Sequence, residues 1–120
     1  MPGPLNRSTS KTGADGDALR RVPDAFHSAT LTGALTLDAT YPGILKLDPG
    51  GAHRDVTLDA IASNDGLLRR IVNAADDPEN LVVKNAAGDT IATINQNEQG
   101  EFYCNGSTWV LINISTIALS

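Results

Sequence analysis

Side chains able to do chemistry are few in this sequence, and they are far apart. The two imidazoles are His27 and His53, and only Asp55 lies close enough in the chain to one of them to suggest a metal-binding or acid–base pair. A histidine beside a charged strand edge is far more often a surface residue, and no catalysis is expected there. Asp76, Asp77 and Glu79 form an acidic loop, but their spacing lacks the alternating oxygen ligands and central glycine of an EF-hand calcium loop. Asp48-Pro49-Gly50-Gly51 is glycine-rich, yet phosphate-cradling loops lead from a strand into a helix N-terminus, and no helical pattern follows. It reads as a turn. Cys104 is the single cysteine, so an internal disulfide is impossible, and no Cys and His set has zinc spacing. A nucleophilic thiol needs a base and a neighbour that lowers its pKa, so Cys104 reads as a packed thiol. No catalytic residue, metal ligand or cofactor-binding residue is assigned, and the chain is read as not an enzyme.

Composition narrows the classes further. The chain has 120 residues, enough for one domain with a modest core, and only 4% of them are aromatic, so that core must rest on Leu, Ile, Val and Ala. A net charge of −5 with no Lys/Arg cluster argues against a nucleic-acid binder. No apolar run approaches the roughly 20 residues that span a bilayer, and the start, MPGPLNRSTS, has neither the charged nor the apolar region of a secretory signal. Synthesis and folding in a reducing cytoplasm, with no membrane partner, are expected.

The elements that must position these residues are strands. Residues 1–24 stand apart: rich in Pro, Gly, Ser, Thr and Asp, they cannot offset their ordering entropy by burial. Arg7, Lys11, Arg20 and Arg21 concentrate positive charge there in an otherwise acidic chain. The segment reads either as an extended N-terminal arm that gains order on an acidic partner surface or as a solvated tail. From Ala25 onward, short alternating runs follow one another: 29–38, 44–48, 53–58, 67–73, 80–85 and 90–94, with turn signals at Tyr41-Pro42-Gly43, Asp48-Pro49-Gly50-Gly51 and Ala86-Ala87-Gly88-Asp89. The run 67–73 fits strand or helix by pattern, and its shortness and strand-like neighbours favour strand. Its adjacent Arg69 and Arg70 point to opposite faces of a strand, so one of them needs a carboxylate partner unless the strand is an edge.

Most of the aromatic residues gather in Gly100 to Ile112, which reads as a β-hairpin closed by a two-residue type I′ turn at Asn105-Gly106. That register sets Cys104 opposite Ser107 and Phe102 opposite Trp109. Phe102, Cys104, Trp109 and Leu111 then share one face, and Glu101, Tyr103, Thr108, Val110 and Ile112 share the other. Both faces carry apolar groups, so one is expected in the core and the other on a second sheet or a neighbouring subunit. Phe102, Tyr103, Trp109, Val110 and Ile112 are the expected core and intersubunit packing residues. The fold class expected is all-β: an antiparallel β-sandwich or small barrel, jelly-roll-like, over residues 25–120.

The order of LDPGGAHRDVTLDA, IVNAADDPENLVVKNAAGDTIATI and EFYCNGSTWVLI resembles a small β-module of tailed-bacteriophage virion proteins, over about Leu45 to Ile112. The shared marks are Pro-Gly-Gly-Ala, Ile-x-Asn, Gly-Asp-Thr-Ile and Asn-Gly-x-x-Trp in that order. The resemblance implies a virion structural protein, as in capsid decoration (cement) proteins, head fibres and tail fibres. One module with an arm, without shaft repeats or a tip domain, favours capsid decoration. The implied partners are the major capsid protein and further copies of the chain, commonly as a homotrimer, on the capsid exterior. Arg7, Lys11, Arg20 and Arg21 would then be the capsid-binding arm. The alternative is a tail-fibre or head-fibre module with host-glycan binding.

Overall fold

The computed structural model describes residues 26–61 and 66–117. Nine strands form: β1 (Phe26–Thr30), β2 (Leu35–Thr36), β3 (Ile44–Asp48), β4 (Arg54–Thr57), β5 (Leu68–Asn73), β6 (Leu81–Lys84), β7 (Thr90–Ile94), β8 (Glu98–Cys104) and β9 (Trp109–Thr116). They build a five-stranded sheet, β1-β3-β5-β8-β9, and a four-stranded sheet, β2-β4-β6-β7. The all-β expectation holds for the described residues. The arm, including Arg7, Lys11, Arg20 and Arg21, lies outside them.

The pairing differs from the expected antiparallel sandwich, because both sheets are mixed. From β1 to β6 the chain alternates between the sheets, and each pass adds a parallel strand: β1 beside β3 beside β5 in one sheet, β2 beside β4 beside β6 in the other. Parallel neighbours need a crossover, and here the strand of the opposite sheet supplies it. Only the last third reverses, with β7 antiparallel to β6, β8 to β5 and β9 to β8. Because β1 and β9 end the larger sheet and β2 and β7 the smaller, neither sheet closes into a barrel.

The turns expected at the two Pro-Gly signals are therefore corners between the sheets. At Gly50 the backbone has φ 76°, and a Cβ there would collide with the carbonyl oxygen of Leu31 in the preceding pass. Glycine is what lets successive passes stack closely at this corner.

The core lies between the sheets. Leu45, Leu47, Ile71, Phe102, Cys104 and Trp109 from the larger sheet meet Val56, Leu81, Val83, Ala92 and Ile94 from the smaller one in a single buried cluster. Strand alternation dictates this set: in β3, Leu45 and Leu47 are buried while Ile44 is exposed, and in β5, Arg69, Ile71 and Asn73 are buried while Leu68 and Arg70 are exposed. Asn73 is polar at the end of that buried row and fully bonded. Its Nδ2 donates to the Glu79 and Ile94 carbonyls (2.8 and 2.9 Å), and its Oδ1 accepts the Ala75 N–H (2.9 Å). The asparagine thus joins β5 of the larger sheet to β7 of the smaller, which gives the Ile-Val-Asn run a structural reason.

The β8–β9 hairpin exists with a longer loop than expected. Cys104 pairs with Trp109, Tyr103 with Val110 and Phe102 with Leu111. The Asn105 side-chain oxygen accepts the N–H groups of Ser107 and Thr108 (both 2.9 Å), and the Asn105 N–H donates to the Thr108 carbonyl (3.1 Å). Gly106 has positive φ but Asn105 does not, which excludes a type I′ turn. The register moves by two residues, an even shift, so Phe102, Cys104 and Trp109 still share the buried inner face, whereas Leu111, expected with them, is exposed on the edge strand and outside the core cluster. Further along, Glu101 pairs with Asn113, leaving Ile112 as the extra residue of a β-bulge.

Candidate interaction surface

The two faces of β5 show how the larger sheet divides its work. Arg69 points inward and is 2% exposed. Its Nε and Nη2 donate to the two Asp59 carboxylate oxygens (2.9 and 2.7 Å), its Nη1 to the carbonyls of Tyr41 (3.0 Å) and Pro42, and its Nη2 also to the carbonyl of Asp38 (2.8 Å). All five guanidinium N–H groups are thereby satisfied, the condition for burying this cation at tolerable cost. The Asp59 main-chain carbonyl in turn accepts the indole N–H of Trp109 (2.9 Å). Arg69 thus ties the 38–42 corner and the segment after β4 to the centre of the larger sheet, and Asp59 extends the tie to β9. Asp38 belongs to the same corner. Hydrogen bonds from the Thr40 hydroxyl and then the Thr40 N–H hold its carboxyl below the usual range, with a smaller contribution from the Arg69 charge.

Arg70 points outward. It pairs with Glu101 across the β5–β8 ladder, its Nε 2.9 Å from Glu101 Oε2, and both side chains are partly exposed. On one side of this pair the outer face is apolar, and on the other the next row runs through Ser28, Lys46, Val72, Gln99 and Ser115. Phe26, Ile44, Leu68, Tyr103, Val110 and Ile112 are all exposed, Leu68 by 57% and Ile112 by 55%. The register aligns them in rows. One runs from Phe26 to Ile44, Arg70, Glu101 and Asn113 across all five strands, and the next runs from Leu68 to Tyr103 to Val110. Gly43, Ile44, Leu68, Arg70, Glu101 and Ile112 border a shallow groove of about 300 Å³ on this face. Scattered exposed apolar residues need no explanation, but a contiguous patch on an ordered sheet marks a contact surface.

The expected packing residues split between the two faces. Phe102 and Trp109 are buried in the core, whereas Tyr103, Val110 and Ile112 lie on the outer face. Cys104 is buried beside them as a packed thiol. The remaining chemical candidates do not converge. His53 accepts the Asn80 N–H at Nδ1 (2.9 Å), Asp55 pairs with Lys84 (3.1 Å), and the His27 ring meets Tyr41 edge-on with 5.3 Å between centroids.

One grouping was not visible in the sequence. Asp48 joins Asp76 and Glu79 of the acidic loop, the three bringing carboxylate oxygens within 4.8 Å of one another, although Asp48 comes from a different corner. Asp48 and Glu79 already accept the N–H groups of Gly50 (2.9 Å) and Gly51 (3.1 Å), so they serve as turn acceptors. Asp59, the partner of Arg69, was also missed. The available signal was a cation on the inward row of a strand, which demands a carboxylate without saying which one.

No helix among the described residues is long and apolar enough to cross a membrane. No family model, curated protein or solved structure matches this chain.

Proposed function

We propose that this chain is a non-catalytic virion structural module that decorates the exterior of a tailed-phage capsid, binding the major capsid protein and stabilising the shell. The observation that carries the reading is the outer face of the five-stranded sheet, an ordered apolar surface beside one ion pair. Such a surface suits an adhesive component that works in many copies. Linking copies makes each further contact intramolecular, so modest contacts add up to firm attachment. The ordered motif series in Leu45 to Ile112 supplies the virion context, and the cationic residues Arg7, Lys11, Arg20 and Arg21 suit contact with an acidic shell.

A glycan-binding module needs exposed aromatic rings as a platform, for which Trp109 and Tyr103 of the hairpin are the candidates. Trp109 is 4% exposed with its indole N–H bonded internally, which leaves Tyr103 as that platform's one exposed ring. Decoration is therefore the preferred reading.

Co-sedimentation of full-length protein with undecorated heads tests it, scored as copies retained per particle before and after a salt step. Saturable binding, weakened by salt and lost when the chain starts at Ala25, is the expected result. Heads that stay bare at saturating protein would overturn the decoration reading.

A further inference from the structure

Resting on the assembly reading above, we propose that the outer face of the five-stranded sheet is a two-fold contact with a second copy of this chain, in which Arg70 of each protomer pairs with Glu101 of the other. The charge pattern selects this occupant. The face as a whole carries two cations, Lys46 and Arg70, and two anions, Asp48 and Glu101; within its apolar part Arg70 and Glu101 stand side by side, at neighbouring positions of a row that crosses the sheet. Rotation by 180° about an axis between them sets each charge against its opposite, so the face is complementary to itself.

The pair also has capacity for this exchange. Within the described residues Arg70 donates through Nε and Nη2, both to Glu101 Oε2. Its Nη1 and the Glu101 Oε1 remain available to a second chain. Elsewhere the net charge of −5 makes copies repel, and this locally neutral face is where approach costs least. A strongly acidic or basic partner would find no net charge here to attract it.

The apolar side chains beside it supply the desolvated margin that an ion pair needs. Leu68 and Ile112 are the most exposed of them, and Phe26 and Val110 lie on the two edge strands. A self-complementary patch generates closed pairs, whereas the ring of a trimer needs two different patches. The contact therefore predicts an even assembly unit, distinct from the trimer that the resemblance implies.

The test is sedimentation velocity of the full chain over a concentration series, for wild type, Arg70→Glu, Glu101→Arg and an equimolar mixture of the two variants. Wild type should sediment as two chains of 12.6 kDa each. Each variant alone places like charges across the axis and should raise the dissociation constant by tenfold or more, about 1.4 kcal/mol. The mixture should restore pairing, because one chain then offers two carboxylates and the other two guanidinium groups. Leu68→Glu, at an exposed site, gives an independent disruption, with circular dichroism confirming the fold. A wild type that stays a single chain or forms trimers, or variants that pair as wild type does, would overturn the contact. Head binding is scored separately. Wild type that pairs but leaves heads bare overturns decoration and leaves this contact standing, and single chains that bind heads stoichiometrically do the reverse.

Discussion

Arg69 and Arg70 are neighbours in one strand, and they have opposite fates. Arg69 turns inward, where burial forces every N–H to find an acceptor, and it becomes the node joining a corner and a crossover, a tie that Asp59 extends to the last strand. Arg70 turns outward, where its side chain is about half exposed and pairs with the less exposed Glu101. The same residue type is thus a buried fold determinant on one face and a partly exposed ion-pair member on the other. The difference teaches that this sheet is specified from its inner side, leaving the outer side free to carry exposed apolar residues, the surface we propose for assembly.

The comparison can be broken by mutation, beginning on the inner face. Arg69→Met should destabilise the fold by about 3–5 kcal/mol, because it strands the Asp59 carboxylate without a buried partner. Urea unfolding checks this, and a loss below 1 kcal/mol would mean that the 38–42 corner opens to water without harm. Trp109→Ala removes a buried ring and the donor to the Asp59 carbonyl, with an expected loss of about 3–5 kcal/mol. A near-zero change would place the indole at the surface and revive the glycan platform.

On the outer face, Leu68→Glu should leave the unfolding stability of the single chain, measured at concentrations below the dissociation constant of the pair, within about 0.5 kcal/mol. A large stability loss from this variant would erase the distinction between the faces.

The smallest effect concerns acid. Asp38 has a folded-state pKa below its ordinary 3.8, so its contribution to stability is complete above that value and fades as pH falls through the lower folded-state value. Asp38→Asn should therefore shallow the acid limb of the stability profile and leave the neutral plateau nearly level. An unchanged acid limb would show that the Thr40 hydrogen bonds do not persist in solution.

Strand positions were largely legible, and their partners were not. Ile44–Asp48 and Thr90–Ile94 fall where alternation placed them, because the face a residue points to is a local property of the strand. Pairing is not local. Tyr41-Pro42-Gly43 and Asp48-Pro49-Gly50-Gly51 have the chemistry of tight turns, and the same chemistry serves a corner where the chain passes to another sheet. The parallel passes were also masked by unequal steps, from Phe26 to Ile44 and then to Arg70, which leave no fixed repeat to detect. The inner and outer rows of the β8–β9 hairpin were readable despite the wrong turn, since a register error of two residues preserves the faces. The outer patch was only half visible. Tyr103, Val110 and Ile112 lie in one hairpin, but Phe26, Ile44 and Leu68 join them through pairings that no local pattern encodes.

The most direct measurement is the number of copies retained per undecorated head at saturation, by wild type and by Leu68→Glu side by side. A fixed number for wild type and a clear reduction for the variant, at equal fold stability, is the expected result. Equal retention of both proteins, or none of either, would contradict the claim that the outer face of this sheet serves assembly on the virion.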